Sequence, residues 1–202
     1  MRREPKGTDV APTIGFPIVA VAASAGGLDA LRTLLAEIPA DFGAPILIVQ
    51  HMSQGHTTHL AEILGRYCDL PVSLARDGDR LEPGHVFVAP PGHHLLLGSG
   101  GETVLSGGAP VNFCRPSADR LFESLASAAG ANAIAVVLTG TGRDGAAGLL
   151  IVKQGGGTTI VQSEQTSLHK GMPHAAMESG PDFVVPLDAI AGTLLRLVKA
   201  AA

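Results

Sequence analysis

The 202-residue chain has no tryptophan and a single tyrosine, and aromatic residues make up only 3% of it. Stacking single-stranded nucleic acid takes several aromatic faces, so the composition argues against that class. Charge is also scarce, at 16% of residues, with a net charge of −4 and no cluster of lysine and arginine. A phosphate backbone or an anionic membrane surface therefore finds no basic footprint. No apolar run reaches the length that spans a bilayer. The basic N-terminal stretch MRREPKGTDVAPTIG lacks the apolar segment that follows in a secretory signal. Only two cysteines occur, Cys68 and Cys114, and no CxxC pair. They read as free thiols in a reducing cytoplasm, with Cys114 as a buried structural thiol.

What the chain does have is core-forming material: 46% hydrophobic residues, with 26 glycines for sharp turns. One globular α/β domain suits both figures. PIVAVAAS (17–24) is a short apolar run, followed by an amphipathic stretch carrying Leu28, Leu31, Leu34, Leu35 and Ile38. PILIVQH (45–51) reads as a second buried strand and residues 58–66 as a second helix. PVSLA, HVFVA, HLLLG and TVLS are turn-bounded strands between 71 and 106, with no helix among them. Residues 117–129 form a helix with Ser117 as N-cap and Gly130 as stop, and AIAVVLT (133–139) is the most apolar strand. A helix over 144–154 ends at Gly155, TTIVQ and DFVVP are the last strands, and Asp188 opens a C-terminal helix. The expected fold is α/β: a doubly wound, largely parallel sheet with helices on both faces. The strand cluster between 71 and 106 is expected to be an antiparallel hairpin region at one edge. Residues 1–16 read as a polar lead-in and 17–202 as one domain.

Open parallel sheets bind ligands at the carboxyl ends of their strands. The first strand ends at Ser24, the second at Gln50-His51, and the strand 133–139 runs into TGTGRDG, which carries Asp144. A hydroxyl, an imidazole and a carboxylate on one edge are the parts of a serine-hydrolase triad. Serine needs a base within reach, histidine supplies one near neutral pH, and a carboxylate holds the histidine tautomer. The small residues Ala22, Ala23, Ala25, Gly26 and Gly27 leave room for a substrate carbonyl. Backbone N–H groups at the following helix start could hold an oxyanion. Each residue also has a plainer reading: Ser24 and Asp144 as helix caps, His51 as the end of a strand. Two rival chemistries use the same stretches. The glycine-rich turns ASAGG and TGTGRDG could cradle phosphate, although the chain has no G-x-x-x-x-G-K-[ST] and no G-x-G-x-x-G after its first strand. His51, His56 and His59 could approach a metal, whereas His93 and His94 would point to opposite faces of a strand, and no HExxH occurs. The sequence reading assigns no metal and no cofactor.

ASAGG (23–27), VQHM (49–52), NFCRPSADRLF (112–122), LTGTGRDGAAGL (138–149) and GMPHAA (171–176) stand in one order. Together they resemble the catalytic domain of the CheB-type chemoreceptor methylesterases, over about residues 18–198. The resemblance implies a serine hydrolase acting on glutamate γ-methyl esters of the methylated cytoplasmic helices of bacterial chemoreceptors. It would release methanol, with deamidation of receptor glutamines as a second activity. Ser24 then matches the nucleophile, His51 the base and Asp144 the orienting carboxylate. Ala25 and Thr141 fall at the oxyanion region, and the turn Gly171, Met172 and Pro173 at the cleft. The order Ser…His…Asp differs from that of the α/β-hydrolases, so that architecture is not expected. Ala22, Ala25 and Thr141 stand where the family often has glycine, threonine and methionine, which bears on substrate preference. These departures motivate an alternative: a catalytically weak interaction module binding receptor helices or a partner. The family commonly carries an N-terminal receiver domain, and the sixteen residues before the first strand are too few to form one. The resemblance therefore implies an excised catalytic domain, or a stand-alone one with a regulatory receiver protein in trans, in the cytoplasm, without nucleic acid or membrane insertion.

Overall fold

The computed structural model describes residues 14–52 and 58–201. In chain order these form β1 (Ile18–Ala23), α1 (Gly27–Ala36), β2 (Ile46–Gln50), α2 (Leu60–Leu64), β3 (Val72–Leu74), β4 (Val86–Val88), β5 (His94–Leu97) and β6 (Thr103–Ser106). There follow α3 (Ala118–Ala129), β7 (Ala133–Val137), α4 (Ala146–Gln154), β8 (Thr158–Gln162), α5 (Gly171–Met177), β9 (Phe183–Val185) and α6 (Leu187–Ala201). Seven strands make a parallel sheet in the order β3-β4-β2-β1-β7-β8-β9, and β5 pairs antiparallel with β6 in a sheet of its own.

The continuous apolar runs of β1, β2 and β7 are buried along their whole length, as expected of strands covered on both faces. Val19, Val21 and Ala23 pack on Leu31 and Leu34 of α1 and on Ile190 and Leu194 of α6. Ala20 and Ala22 face Leu121, Phe122 and Leu125 of α3, with Leu149 and Val152 of α4. Each such leucine or phenylalanine contributes roughly 1.5–3 kcal/mol by leaving water. Ile14 is buried in the same layer and Phe16 packs against it, while Asn132 Nδ2 donates to the Ile14 carbonyl at 2.8 Å.

The expected sheet and hairpin are both present, but the strand cluster between 71 and 106 divides. β3 and β4 join the main sheet in parallel register, and only β5 and β6 form the antiparallel hairpin. Parallel strands need a crossover, and here it is a loop that lies against the hairpin. Gly78 N donates to Thr103 O, Thr103 N to Asp79 O and Leu81 N to Gly101 O, at 2.8–3.0 Å. The hairpin in turn sits on α3, where Leu97 N donates to Ser124 Oγ at 3.0 Å. Helix α2 is shorter than the expected 58–66.

From β1 the chain moves to β2 on one side, and after α3 it returns to β7 on the other. The order of strands therefore reverses beside β1, and the crevice at a reversal is where such sheets bind ligands.

Candidate active site

Ser24 leaves β1 at this crevice. Its N–H donates to Thr139 O at 3.0 Å, while the following residue of β2, His51, donates its N–H to Ala23 O at 2.9 Å. Gln50 Nε2 donates to the carbonyls of both Ser24 and His51, at 2.8 and 2.9 Å. The serine is thus flanked by the ends of β2 and β7. Gly26 turns the chain into α1 with φ of 73°, a left-handed conformation that glycine adopts without strain. On the other side Gly140 lets β7 close in. A Cβ there would lie 2.8 Å from the Ser24 Cβ and would collide with Met172 Sδ.

His51 Nε2 lies 2.7 Å from Asp144 Oδ2, and Asp144 is only 2% exposed. The aspartate collects a dense set of donors. Ala118 N reaches Oδ2 at 2.6 Å, and Ser117 Oγ, Asn112 Nδ2 and Asp119 N reach Oδ1 at 2.7, 3.2 and 3.3 Å. Asp144 therefore caps α3, not the helix that follows it. The start of α4 is capped by Asp119 instead, whose Oδ1 accepts from Gly145 N and Gly148 N at 2.9 and 2.8 Å. The two helices exchange caps. Ser117 occupies the expected N-cap position of α3 but makes no cap bond with its side chain, because its hydroxyl is given to Asp144.

Burial works against the charge of both partners, and their contact outweighs it. His51 is raised from 6.5 to about 9: burial lowers it, and the bonds to Asp144 and Cys114 more than compensate. Asp144 is held below the usual carboxylate range; burial raises it, but His51, Ser117 and Ala118 N pull it down further. Asp119 is pushed up by burial and by the neighbouring charge of Asp144, against the donors Gly148 N, Asn112 and Gly145 N.

The CheB methylesterase family model matches residues 19–194. The chain belongs to the CheB methylesterase family. It is similar to protein-glutamate methylesterase/protein-glutamine glutaminase 2 of Pseudomonas aeruginosa, 46% identical over 183 residues, which are 89% of this chain and 52% of that protein. The protein-glutamate methylesterase/protein-glutamine glutaminase of Bordetella bronchiseptica is 48% identical over 183 residues, 88% of this chain and 52% of that one. The chain thus spans about half the length of the curated relatives it matches. Among solved structures, the CheB methylesterase catalytic domain of Thermotoga maritima superposes with a TM-score of 0.87 at 36% identity, covering 92% of this chain and 100% of that one.

The remaining residues expected at the CheB-like cleft fall around the Ser24 turn in different ways. Ala25 is half-buried and Thr141 exposed. Gly171, Met172 and Pro173 are not a free turn but the first turn of α5, where proline lacks no needed donor. Met172 is fully buried and its N–H donates to Gly140 O at 2.9 Å, so it supports the Ser24 turn from behind. The histidines of the rival metal reading disperse: His59 is exposed and bonded to Glu62. His94 is buried with Ala109 O and Ser117 N as partners, while His93 is exposed. His56 lies outside the described residues.

The sequence places none of Asn112, Ser117, Asp119 and Thr139 at the site, and it marks Ser117 only as a helix cap. The Thr139 hydroxyl accepts from His169 N at 2.8 Å and lies 3.1 Å from Ala25 O, pinning the Ser24 loop to the segment before α5. Asn112 and Ser117 lie in NFCRPSADRLF, whose position in the chain says nothing of its contact with Asp144. Cys114, expected to be buried, is half-buried, with Sγ 3.7 Å from His51 Nδ1.

Proposed function

We propose that this chain is the catalytic part of a protein-glutamate methylesterase, with Ser24 as nucleophile, His51 as general base and Asp144 as its orienting carboxylate. The observation that carries the reading is the buried 2.7 Å contact of His51 Nε2 with Asp144, next in register to Ser24. The relatives' names supply the reaction; the substrate proposed is a glutamate γ-methyl ester on a chemoreceptor's cytoplasmic helix.

With Nε2–H directed at Asp144, Nδ1 is the nitrogen left to accept a proton. Among the described residues the Ser24 hydroxyl makes no hydrogen bond to it, a contact that such sites often tighten only on substrate binding. Ser24 Oγ attacks the ester carbonyl as its proton passes to His51. The Ala25 N–H, which has no acceptor among the described residues, and the N-terminal end of α1 are the donors proposed for the developing oxyanion. Replacing the family's threonine by Ala25 removes a hydroxyl and leaves this N–H in place. His51 then returns the proton to the leaving methoxide, methanol departs, and a glutamyl ester of Ser24 remains. Water, deprotonated by His51, hydrolyses it to glutamate and free serine. A glutamine side chain follows the same route with ammonia as leaving group.

The substrate helices, a receiver protein acting in trans, a cytoplasmic location and the assignment of residues 17–202 as the catalytic domain belong to the same proposal. No described helix is long and apolar enough to cross a membrane. A pure interaction module has no use for a buried imidazolium–carboxylate pair, whose desolvation costs several kcal/mol per ion before any pairing gain.

The test is methanol release from a pre-methylated receptor cytoplasmic fragment, comparing the chain with Ser24→Ala. Release that vanishes in the variant is expected. Equal release from both removes Ser24 from the mechanism.

A further inference from the structure

We propose that His51 Nδ1 and Cys114 Sγ form an inhibitory site for a thiophilic divalent cation of the zinc type, which shuts the hydrolase by occupying its base. The inference rests on the reading of His51 as the base.

The distance fits. Zinc–sulfur and zinc–nitrogen bonds of the usual lengths, at a tetrahedral angle, set the two donor atoms about 3.6 Å apart. Cys114 Sγ and His51 Nδ1 stand 3.7 Å apart. The second ring nitrogen already donates to a buried carboxylate at 2.7 Å, the arrangement that orients a metal-ligating histidine and strengthens it as a donor. Asp144 lies within the same cluster. With its oxygens occupied by Ser117, Ala118 N, Asn112 and Asp119 N, it serves as the orienting group behind His51 rather than as a ligand. Cys114 is half-buried and the His51 side chain 12% exposed, so neither side chain is sealed from solvent. The turn that presents Cys114 is closed on itself: Val111 and Cys114 exchange N–H donors at 3.1 and 2.8 Å, and Asn112 at its tip is tied to Asp119 and Asp144. The thiol is therefore held in place.

Binding releases the thiol proton, and the imidazolium proton where Nδ1 carries one, and forms one bond to sulfur and one to nitrogen. Nothing is oxidised or reduced. Solvent fills the remaining positions. The nitrogen that must accept the Ser24 proton is then unavailable.

Cobalt(II) added to the whole chain reports the site without any turnover, through its thiolate charge-transfer absorption. A band is expected in the parent chain and in Cys68→Ser, absent in Cys114→Ser and Cys114→Ala, and bleached by zinc. In parallel, the zinc concentration that halves methanol release should rise on the order of tenfold or more in Cys114→Ser, each variant being compared with its own metal-free rate. No band, or one unchanged in the folded Cys114 variants, overturns the site whatever the activity. A Cys114-dependent band in a chain that releases no methanol leaves the metal site standing and removes the hydrolase reading instead. A band with zinc-insensitive turnover overturns the inhibition.

Discussion

A large concave region among the described residues is not where the reactive groups meet. Along the edge strand β3 lies a cavity of about 990 Å³, lined by Glu62, Arg76, Asp79, Arg80, Phe87 and His93 among others, and by none of Ser24, His51 and Asp144. Its carboxylates act locally in exposed surroundings: Asp79 accepts from Arg76 N at 2.8 Å and Asp77 from Leu105 N at 2.9 Å. At the β1–β7 crevice one buried carboxylate gathers a histidine, a hydroxyl, an amide and two backbone N–H groups from two distant segments. Volume alone marks where a ligand fits. Convergent charge-assisted bonds mark where a proton can be held in place and moved.

The contrast breaks most decisively at the proposed nucleophile. Ser24→Ala should lower kcat/KM by about 10⁴-fold or more and leave the thermal midpoint within a few degrees, since Ser24 makes its described bonds through the backbone. Asp144→Ala should do both kinds of damage. It strands a buried charge and uncaps α3, so a loss of about 3–5 kcal/mol of unfolding free energy is expected in denaturant titration, together with loss of turnover.

A pH series sharpens the same point. A general base must be neutral to act, and His51, the proposed base, holds its proton up to about 9. The kcat/KM profile should therefore climb through neutral pH and level off only near that value, well above the 6.5 of free imidazole. Stability runs the other way. A folded value above the unfolded one stabilises fully below about pH 6.5, and that contribution is lost as pH rises through about 9. Asp144 is shifted down, so its contribution is present above the ordinary carboxylate range and lost as pH falls through its folded value. The thermal midpoint should fall between neutral and alkaline pH, and His51→Gln should flatten that decline.

The smallest expected effect is at the cavity. Asp79→Asn should change stability by no more than about 1 kcal/mol and leave kcat/KM unchanged. A tenfold fall in kcat/KM would move part of the chemistry to the cavity.

Much of this was legible along the chain. Apolar runs of five or six residues alternating with amphipathic helices are a local signal, and they led directly to a parallel sheet with covered faces. Because parallel strands all point their carboxyl ends to one edge, Ser24, His51 and the segment bearing Asp144 had to gather there. The plain reading of Asp144 as a cap was half right. It is a cap, but for α3 rather than α4, with Asp119 making the reverse exchange. Hydrophobic periodicity could not place β3 and β4, because a short apolar run looks the same in a hairpin and in a parallel edge.

The sequence by itself determined the α/β architecture, the edge at which the chemistry collects and the residue types present there. Burying apolar strands and helices depends on a period that each segment carries within itself. Only the tertiary structure decided which polar group meets which: the exchanged caps of α3 and α4, the Thr139 latch, and Cys114 against His51. A hydrogen bond needs its partner within about 3 Å. For Asp144 and His51 that partner lies 93 residues away in the chain, and only packing brings the two together.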